Sequence, residues 1–417
     1  MATAARQRNY QTGQRQKQEQ RHSREQRQTV QKQQEKTQRS YDFTLLFLTV
    51  FLSCFGLVMI YSSSTYIAET TKGSADYFVK RQGLAIILGT IAMLFISVNF
   101  DYRIFLKPLG KIQFHHISKF FPFRGVNLAG LFYLFAIALQ VYTLFFGVER
   151  NGARRWISLG PLGTVQPSEI TKVAVIIAFA NLIYNAPKRL NRWTGFCLAA
   201  FCMAPVIALI GKENMSTMLV IAGIIFIMGF VASRKKMYFI IIGVIAVAGA
   251  VAMILFGWRK SRWEIWRNLE NTTIEGAFQI KQGLYAIASG GLFGTGLGES
   301  MQKLGFVPEA YNDMIFTVIC EELGLVGATA VILLFFLIIF RIFRIAMNTR
   351  DLFGSLICTG VMTHIAIQVI MNVLVVTNSI PSTGIPLPFI SYGGSSVIFL
   401  LMEMGIVLNI SRNLGHS

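Results

Sequence analysis

The stretch "FVPEAYNDMIFTVICEELG", Phe306 to Gly324, places four carboxylates at the start of an apolar run that continues to Phe340. Glu309, Asp313, Glu321 and Glu322 stand where the chain is about to enter hydrocarbon. Charge is expensive there unless it is paired or faces water. Reading the run as a membrane helix, and its acidic head as the helix's wet rim, sets the frame for everything else.

Composition agrees. Hydrophobic residues make up 53% of the chain and charged residues 14%, against about 25% charged in a soluble domain. The mean hydropathy is +0.52. In 417 residues there is room for roughly ten spans of about 20 residues each, with little left for a separate soluble domain. Candidate spans are 43–62, 83–100, 126–147, 170–185, 194–210, 217–232, 238–257, 315–340, 353–376 and 395–411. Only a helix satisfies its own backbone in lipid when the segment is this apolar. The expected fold is therefore an all-α polytopic membrane protein. Segments 170–185, 194–210 and 217–232 are short and are expected to be thin, buried or tilted.

Ten spans put both ends on one side. The segments on that side hold 25 Lys and Arg residues, those on the other 13. The positive-inside rule then places both termini in the cytoplasm. The large loop 258–314, between spans seven and eight, falls outside with the quoted stretch at its end.

Residues 1–42 are dominated by Gln, Arg, Lys and Glu and lack the apolar residues that offset ordering entropy. A disordered basic tail is expected, reinforcing topology or attracted to anionic headgroups. It is not patterned as a signal peptide, and without a folded module it does not point to nucleic acid. Most of the +19 net charge comes from this tail and the loops on its side. Cys54, Cys197, Cys202, Cys320 and Cys358 lie in or beside apolar spans without a CxxC pair. They are expected to pack as small apolar residues, with no disulfide or metal cluster.

Four outer features carry polar chemistry. "NGARRWISLGPLGTVQPSEITK", Asn151 to Lys172, presents Arg154, Arg155 and Trp156 before a turn-rich stretch. "QPSE" then opens a helix, with Pro167 suited to its first turn and Glu169 to its positive end. Lys172 shares a face with Glu169, either as an ion pair anchoring the helix end or as an amine facing a wet cavity. In the loop 258–314, "WRKSRWEIWRNL" interleaves Trp with basic residues as a membrane-surface segment does. "AFQIKQGLYAIASGG" follows as an amphipathic helix, and "GGLFGTGLGES" as a connector or a cradle of N–H groups. No Lys-Ser/Thr follows that Gly run, so it is not a P-loop. "IPSTGIPLPFISYGGSS", Ile380 to Ser396, cannot form a regular helix and is expected to fold back over the outer mouth of the bundle.

The quoted stretch is the fourth feature. Asn312 or Asp313 caps the helix that begins near Met314, or Asp313 lines a wet cavity. Glu321 and Glu322, two turns on, weigh against a pure cap and imply that lipid burial begins near Leu325. A carboxylate beside apolar walls tends to hold its proton, which suits a general base. His364 and Gln368, four residues apart, and Glu403 are expected to hydrogen-bond between helices, with a proton relay as the alternative.

These residues resemble the SEDS family (shape, elongation, division and sporulation). The match covers about 43–412 and rests on "NGARRWI" with "QPSEITK", "AIASGGLFGTGLGESMQKLGFVPEAYNDMIFTVICEELG" and "TGIPLPFISYGGSS". "PEAYNDMIF" with "QVIMNVLVVTNSIPSTGI" resembles the division branch, FtsW, and its sporulation relative; "TGIPLPFISYGG" is equally close to the elongation branch, RodA.

The resemblance implies a peptidoglycan glycosyltransferase of the bacterial cytoplasmic membrane, polymerising lipid II at the outer face with inversion and loss of undecaprenyl pyrophosphate. It places the family's essential acid on Asp313 and its basic and acidic motif positions on Arg155, Glu169 and Lys172. Gln166, Ser168, Gln279 and Ser391 complete the candidate substrate-binding set. A divalent cation, magnesium or manganese, would rest on Asp313 if one is used. A class B penicillin-binding protein is the implied partner, among other divisome or elongasome proteins, because the chain lacks a transpeptidase set of SxxK with KTG. The rival readings are a flippase for lipid-linked precursor, which should show interrupted helices in two halves, and a recruiting scaffold, which should tolerate loss of Asp313.

Overall fold

The computed structural model describes residues 41–108, 127–150, 153–158, 160, 163–244, 260–270 and 275–413. The expected tail, 1–42, lies almost wholly outside them, and the expected span 238–257 leaves them after residue 244. Among the described residues, nine helices are long and apolar enough to cross a membrane.

The first, α1 (Phe43–Lys72), starts where the Asp42 carboxylate accepts from the Leu45 N–H at 2.9 Å. The same carboxylate pairs with Arg341 at 2.9 Å. The helix runs ten residues beyond the apolar stretch expected at 43–62. Thr65, Thr70 and Thr71 return their hydroxyls to carbonyls one turn back, which lets a polar segment stay helical. Helix α2 (Tyr77–Asn99) follows, then a 3₁₀ turn (Tyr102–Leu106) and α3 (Leu128–Phe146).

The turn-rich segment after α3 forms a small antiparallel sheet: β1 (Val148–Arg150), β2 (Ala153–Ser158) and β3 (Thr164–Val165). Glu149 pairs with Arg154 across β1 and β2, and Ile157 with Val165 across β2 and β3. Strands of two to six residues fall below what sequence alternation resolves.

Helix α4 (Pro167–Asn185) is the most buried span. It touches α3, α5 (Trp193–Glu213), α6 (Met215–Ala232), α10 (Leu352–Val376) and α11 (Gly394–Arg412). Protein surrounds most of it, yet at 19 residues it is as long as the more exposed α3. Helices α5 and α6 instead turn much of their apolar surface outward, with Phe201 and Val231 exposed.

Two helices outside the bundle, α7 (Lys260–Arg267) and α8 (Glu275–Ser289), lead to α9 (Ile315–Asn348). Helix α9 breaks at Gly324, whose φ of 67° and ψ of −169° are non-helical. Only glycine fits there: an added Cβ would stand 2.3 Å from the Gly294 nitrogen. Above the break, residues 315–322 are buried in protein; below it, Leu325 and Val326 are exposed.

Candidate active site

Asp313 ends the loop that feeds α9. The expectation that it or Asn312 caps this helix does not hold, since Met314 takes the cap position and no side chain bonds there. Distant elements fix the loop through its backbone instead. Asn372, in the last turns of α10, donates its amide to the Asp313 carbonyl and to the Ile385 carbonyl, both at 2.8 Å. The Ser391 hydroxyl donates to the Asn312 carbonyl at 2.6 Å and accepts from the Leu387 N–H. The Tyr392 N–H donates to the Tyr311 carbonyl at 2.9 Å. The loop 380–393 therefore folds over the bundle and pins residues 311–313.

A ring cluster reinforces the clamp. Phe78 of α2 stacks on Tyr311 at 4.5 Å and meets Tyr392 edge-on at 5.1 Å. Gln82, one turn along, accepts from the Gly393 N–H at 3.1 Å.

The Asp313 carboxylate has its Oδ1 buried, with no hydrogen-bond partner among the described residues, although the residue as a whole stays partly open to solvent. Burial, and next the negative charge of Glu309, push its pKa up to about 7, against smaller opposing help from nearby backbone N–H groups and Arg262. Gly384, at φ 67°, lets the covering loop approach: a Cβ there would stand 3.4 Å from Asp313 Oδ2.

Two guanidiniums border this loop. Arg262 of α7 donates to the Ser382 carbonyl at 2.7 Å. Arg155 of β2 donates to the Glu213 carbonyl at 2.8 Å. Ser216, just beyond Glu213 at the start of α6, holds the Thr383 carbonyl. The 382–384 segment thus lies between Arg262, the Arg155–Glu213 corner and Asp313. Arg155 has its pKa lowered by burial and then by the charge of Arg262, as expected of two cations sharing one region. Strand alternation turns Arg154 the other way, to Glu149 and the Phe145 carbonyl.

Of the other expected site residues, Gln279 reaches the Asp313 loop and the rest fall elsewhere. Lys172 and Glu169 form a buried pair at 2.9 Å, with side chains only 2% and 7% exposed. Ser396 donates to Glu169 at 3.0 Å, tying α4 to α11. Gln166 donates to the Ser168 hydroxyl at 2.9 Å. Gln279 of α8 donates to the Pro308 carbonyl at 3.1 Å, bracing the loop ahead of Asp313. His364 and Glu403 meet at 2.8 Å within the bundle, between α10 and α11.

The lipid-facing part of α9 begins at Leu325, as expected from Glu321 and Glu322, but both carboxylates are buried in protein rather than wet. Glu321 accepts from the Ser300 hydroxyl and the Met301 N–H. Glu322 accepts from Ser62 and pairs with Lys303 at 2.9 Å. The Gly-rich connector is equally tied down, and its N–H groups are not a free cradle. Thr295 and Gly296 donate to the carbonyls of Glu321 and Glu322, while Gly291 and Leu292 accept from Leu325 and Val326.

Sequence reasoning missed Arg262 in this role. The Trp-rich basic segment looked like a membrane-surface helix. Instead Arg262 and Trp266, which donates to the Asn378 carbonyl at 2.9 Å, hold the covering loop. A single Arg–carbonyl bond spanning 120 residues leaves no trace in local spacing.

Among the described residues no group of three or more His, Cys, Asp or Glu side chains gathers as a metal site. Asp313 and Glu309 are the two carboxylates in the region. That suits a magnesium-type ion shared with substrate phosphates better than one caged by protein.

Known proteins are similar to this chain in sequence and in fold. The sequence profile of the family described as "Cell cycle protein", covering FtsW, RodA and SpoVE, matches residues 43–416. Stage V sporulation protein E of Bacillus subtilis is 36% identical over 376 residues, spanning 89% of this chain and 97% of the relative. A probable peptidoglycan glycosyltransferase FtsW of Geobacter metallireducens is 33% identical, spanning 90% and 95%. The crystal structure of the rod shape determining protein RodA of Thermus thermophilus superposes with a TM-score of 0.61 at 25% identity, covering 90% of this chain and 97% of that one. A chain from a peptidoglycan synthase complex reaches 0.66 at 24% identity, over 91% and 99%, and shares the fold. Profile, relatives and fold agree across nearly the whole chain: this multi-pass membrane protein belongs to the SEDS family.

Proposed function

We propose that this peptidoglycan glycosyltransferase polymerises lipid II at the outer face of the cytoplasmic membrane, with Asp313 as its general base. One observation carries the reading: the Asp313 carboxylate, clamped through its backbone, has a sealed oxygen free of partners among the described residues and two arginines beside its loop. In the reaction, the 4-hydroxyl oxygen of the acceptor sugar attacks the donor's anomeric carbon. The new C–O bond forms as the bond to the pyrophosphate oxygen breaks, and configuration inverts. Asp313 takes the hydroxyl proton, and undecaprenyl pyrophosphate leaves with the bonding electrons.

Arg155 and Arg262 stabilise the charge that grows on the pyrophosphate. Glu169 and Lys172, buried against each other, act by holding α4 to α11 through Ser396. A magnesium or manganese ion bound here would rest on Asp313 and the substrate phosphates and add positive charge at the leaving group. The prenyl tails run between spans, which is why the catalyst is a membrane bundle.

The termini lie in the cytoplasm, as the 25-to-13 distribution of basic residues supports. The product strand is cross-linked by a partner of the class B penicillin-binding type, since the chain lacks a transpeptidase set. Its use is in septal wall synthesis, with sporulation and elongation the neighbouring roles.

Purified protein given lipid II, with and without such a partner, tests the reading on a gel that resolves glycan chains. Asp313→Asn should yield no chains while melting as a folded protein. Normal polymer from that variant would overturn the assignment.

A further inference from the structure

The segment between α8 and the Asp313 loop carries an apolar surface that the reaction does not use. Leu292, Phe293, Leu297, Met301, Leu304 and Phe306 are all exposed, Phe293 to 81%. Over residues 290–309 the only exposed charged residues are Glu299 and Glu309, because Lys303 turns inward to Glu322. Loops at a water-facing surface are polar; this one shows water almost nothing polar.

Its position says what covers it. The Gly291 and Leu292 carbonyls accept from the Leu325 and Val326 N–H groups at 2.9 and 3.1 Å. Leu325 and Val326 open the outward face of α9, which continues through Leu333, Phe336 and Phe340. The wedge is therefore an extension of a face that already belongs to lipid. Depth agrees. Sixteen residues separate Leu325 from Arg341, the first basic residue at the far end of that face. At about 1.5 Å per residue the two are about 24 Å apart along the helix. A bilayer's hydrocarbon core is about 30 Å thick, so Leu325 and the loop bonded to it sit inside it.

We propose that residues 291–306 form a wedge inserted in the hydrocarbon edge of the leaflet on the active-site side, its occupant the acyl chains of the bilayer. Irregular backbone survives at that depth because its carbonyls and N–H groups are bonded to α9 and to Glu321 rather than to lipid. The proposal does not rest on the reaction, and its test reads no activity.

Phe293→Trp and, separately, Leu297→Trp are introduced into the full chain and reconstituted in nanodiscs of phosphatidylethanolamine and phosphatidylglycerol. Emission of the unsubstituted protein, which has five Trp, is subtracted. Lipids brominated high on the acyl chain should quench the added emission at least about twofold more than aqueous iodide does, as for a side chain buried about 5–10 Å below the interface. Quenching by iodide without quenching by brominated lipid overturns the proposal. Protection from both also overturns it, because a second copy or another protein then covers the surface. The two positions serve as mutual controls, each accepted only if it melts as the unsubstituted protein does.

Discussion

The side-chain amide of Asn372 bridges the backbone carbonyls of Asp313 and Ile385, 2.8 Å from each. One residue near the end of α10 thus sets the distance between the Asp313 loop and the loop that covers it. Asn372→Ala leaves two buried carbonyls short of a donor, at about 1–3 kcal/mol per group. A part of that cost, about 1.4–2.8 kcal/mol, falling on the transition state slows polymerisation roughly ten- to a hundredfold, at about 1.4 kcal/mol per tenfold. Lipid II binding should hold. Initial rates at saturating and limiting lipid II separate the two effects.

The raised pKa of Asp313 sets a pH dependence. As a base it works only when deprotonated, so the rate should rise with pH through about 7 and level off above. Stability runs the other way. The folded pKa of about 7 lies above the unfolded value of about 3.9. The protonated group's contribution is thus complete below the unfolded value and is lost as pH rises through about 7. Asp313→Asn should therefore cut activity by about 10²–10⁴-fold and, above pH 7, melt no lower than the unsubstituted protein. Thermal scans at pH 6 and 8 beside the rate profile check both.

Arg262 is expected to matter for its charge and for its bond to Ser382. Arg262→Ala should lower the rate by about 10²-fold, comparable to losing one preorganised donor at a developing anion. Arg262→Lys keeps the charge but not the planar fork and should fall between. Rates of the two variants, compared in one assay, decide.

Breaking the Lys303–Glu322 pair leaves a buried carboxylate without its counter-ion, held among the described residues only by Ser62. Lys303→Met alone should cost about 3–5 kcal/mol. Adding Glu322→Gln should recover part of that loss. Unfolding in a matched detergent, followed by melting temperature, should rank the double variant above the single one.

Gly324→Ala forces a side chain into φ 67°, ψ −169° against the Gly294 nitrogen and the Leu292 carbonyl. The strain alone is worth about 1–3 kcal/mol, and the contacts must also yield. The 290–303 segment should detach from α9, seen as faster hydrogen exchange at Thr295, Gly296, Leu325 and Val326.

The spans were legible because hydrocarbon demands long apolar runs, and that demand is written locally. Their ends were less so. Helix α1 outlasts its apolar run because threonine hydroxyls bond one turn back, and α4 begins three residues ahead of its expected start, where Pro167 opens the first turn. Asp313 was one of four acids at a threshold, singled out by the family resemblance, and Ser391 and Gln279 reach its loop through the Asn312 and Pro308 carbonyls. Glu321 and Glu322 misled because their partners, Ser300, Lys303 and Ser62, lie 19 to 260 positions away. Arg262 was hidden for the same reason. Charge in a sequence announces its cost; the partner that offsets it is known only once the chain has folded.

The stacking of Tyr311 on Phe78, with Tyr392 set against its edge, has a pharmacological consequence. The three rings form a seam beside the loop that carries Asp313. A flat antibiotic that slid into that seam would unseat Asp313 without mimicking a saccharide. Resistance by altering the rings would then loosen the very clamp the catalyst depends on.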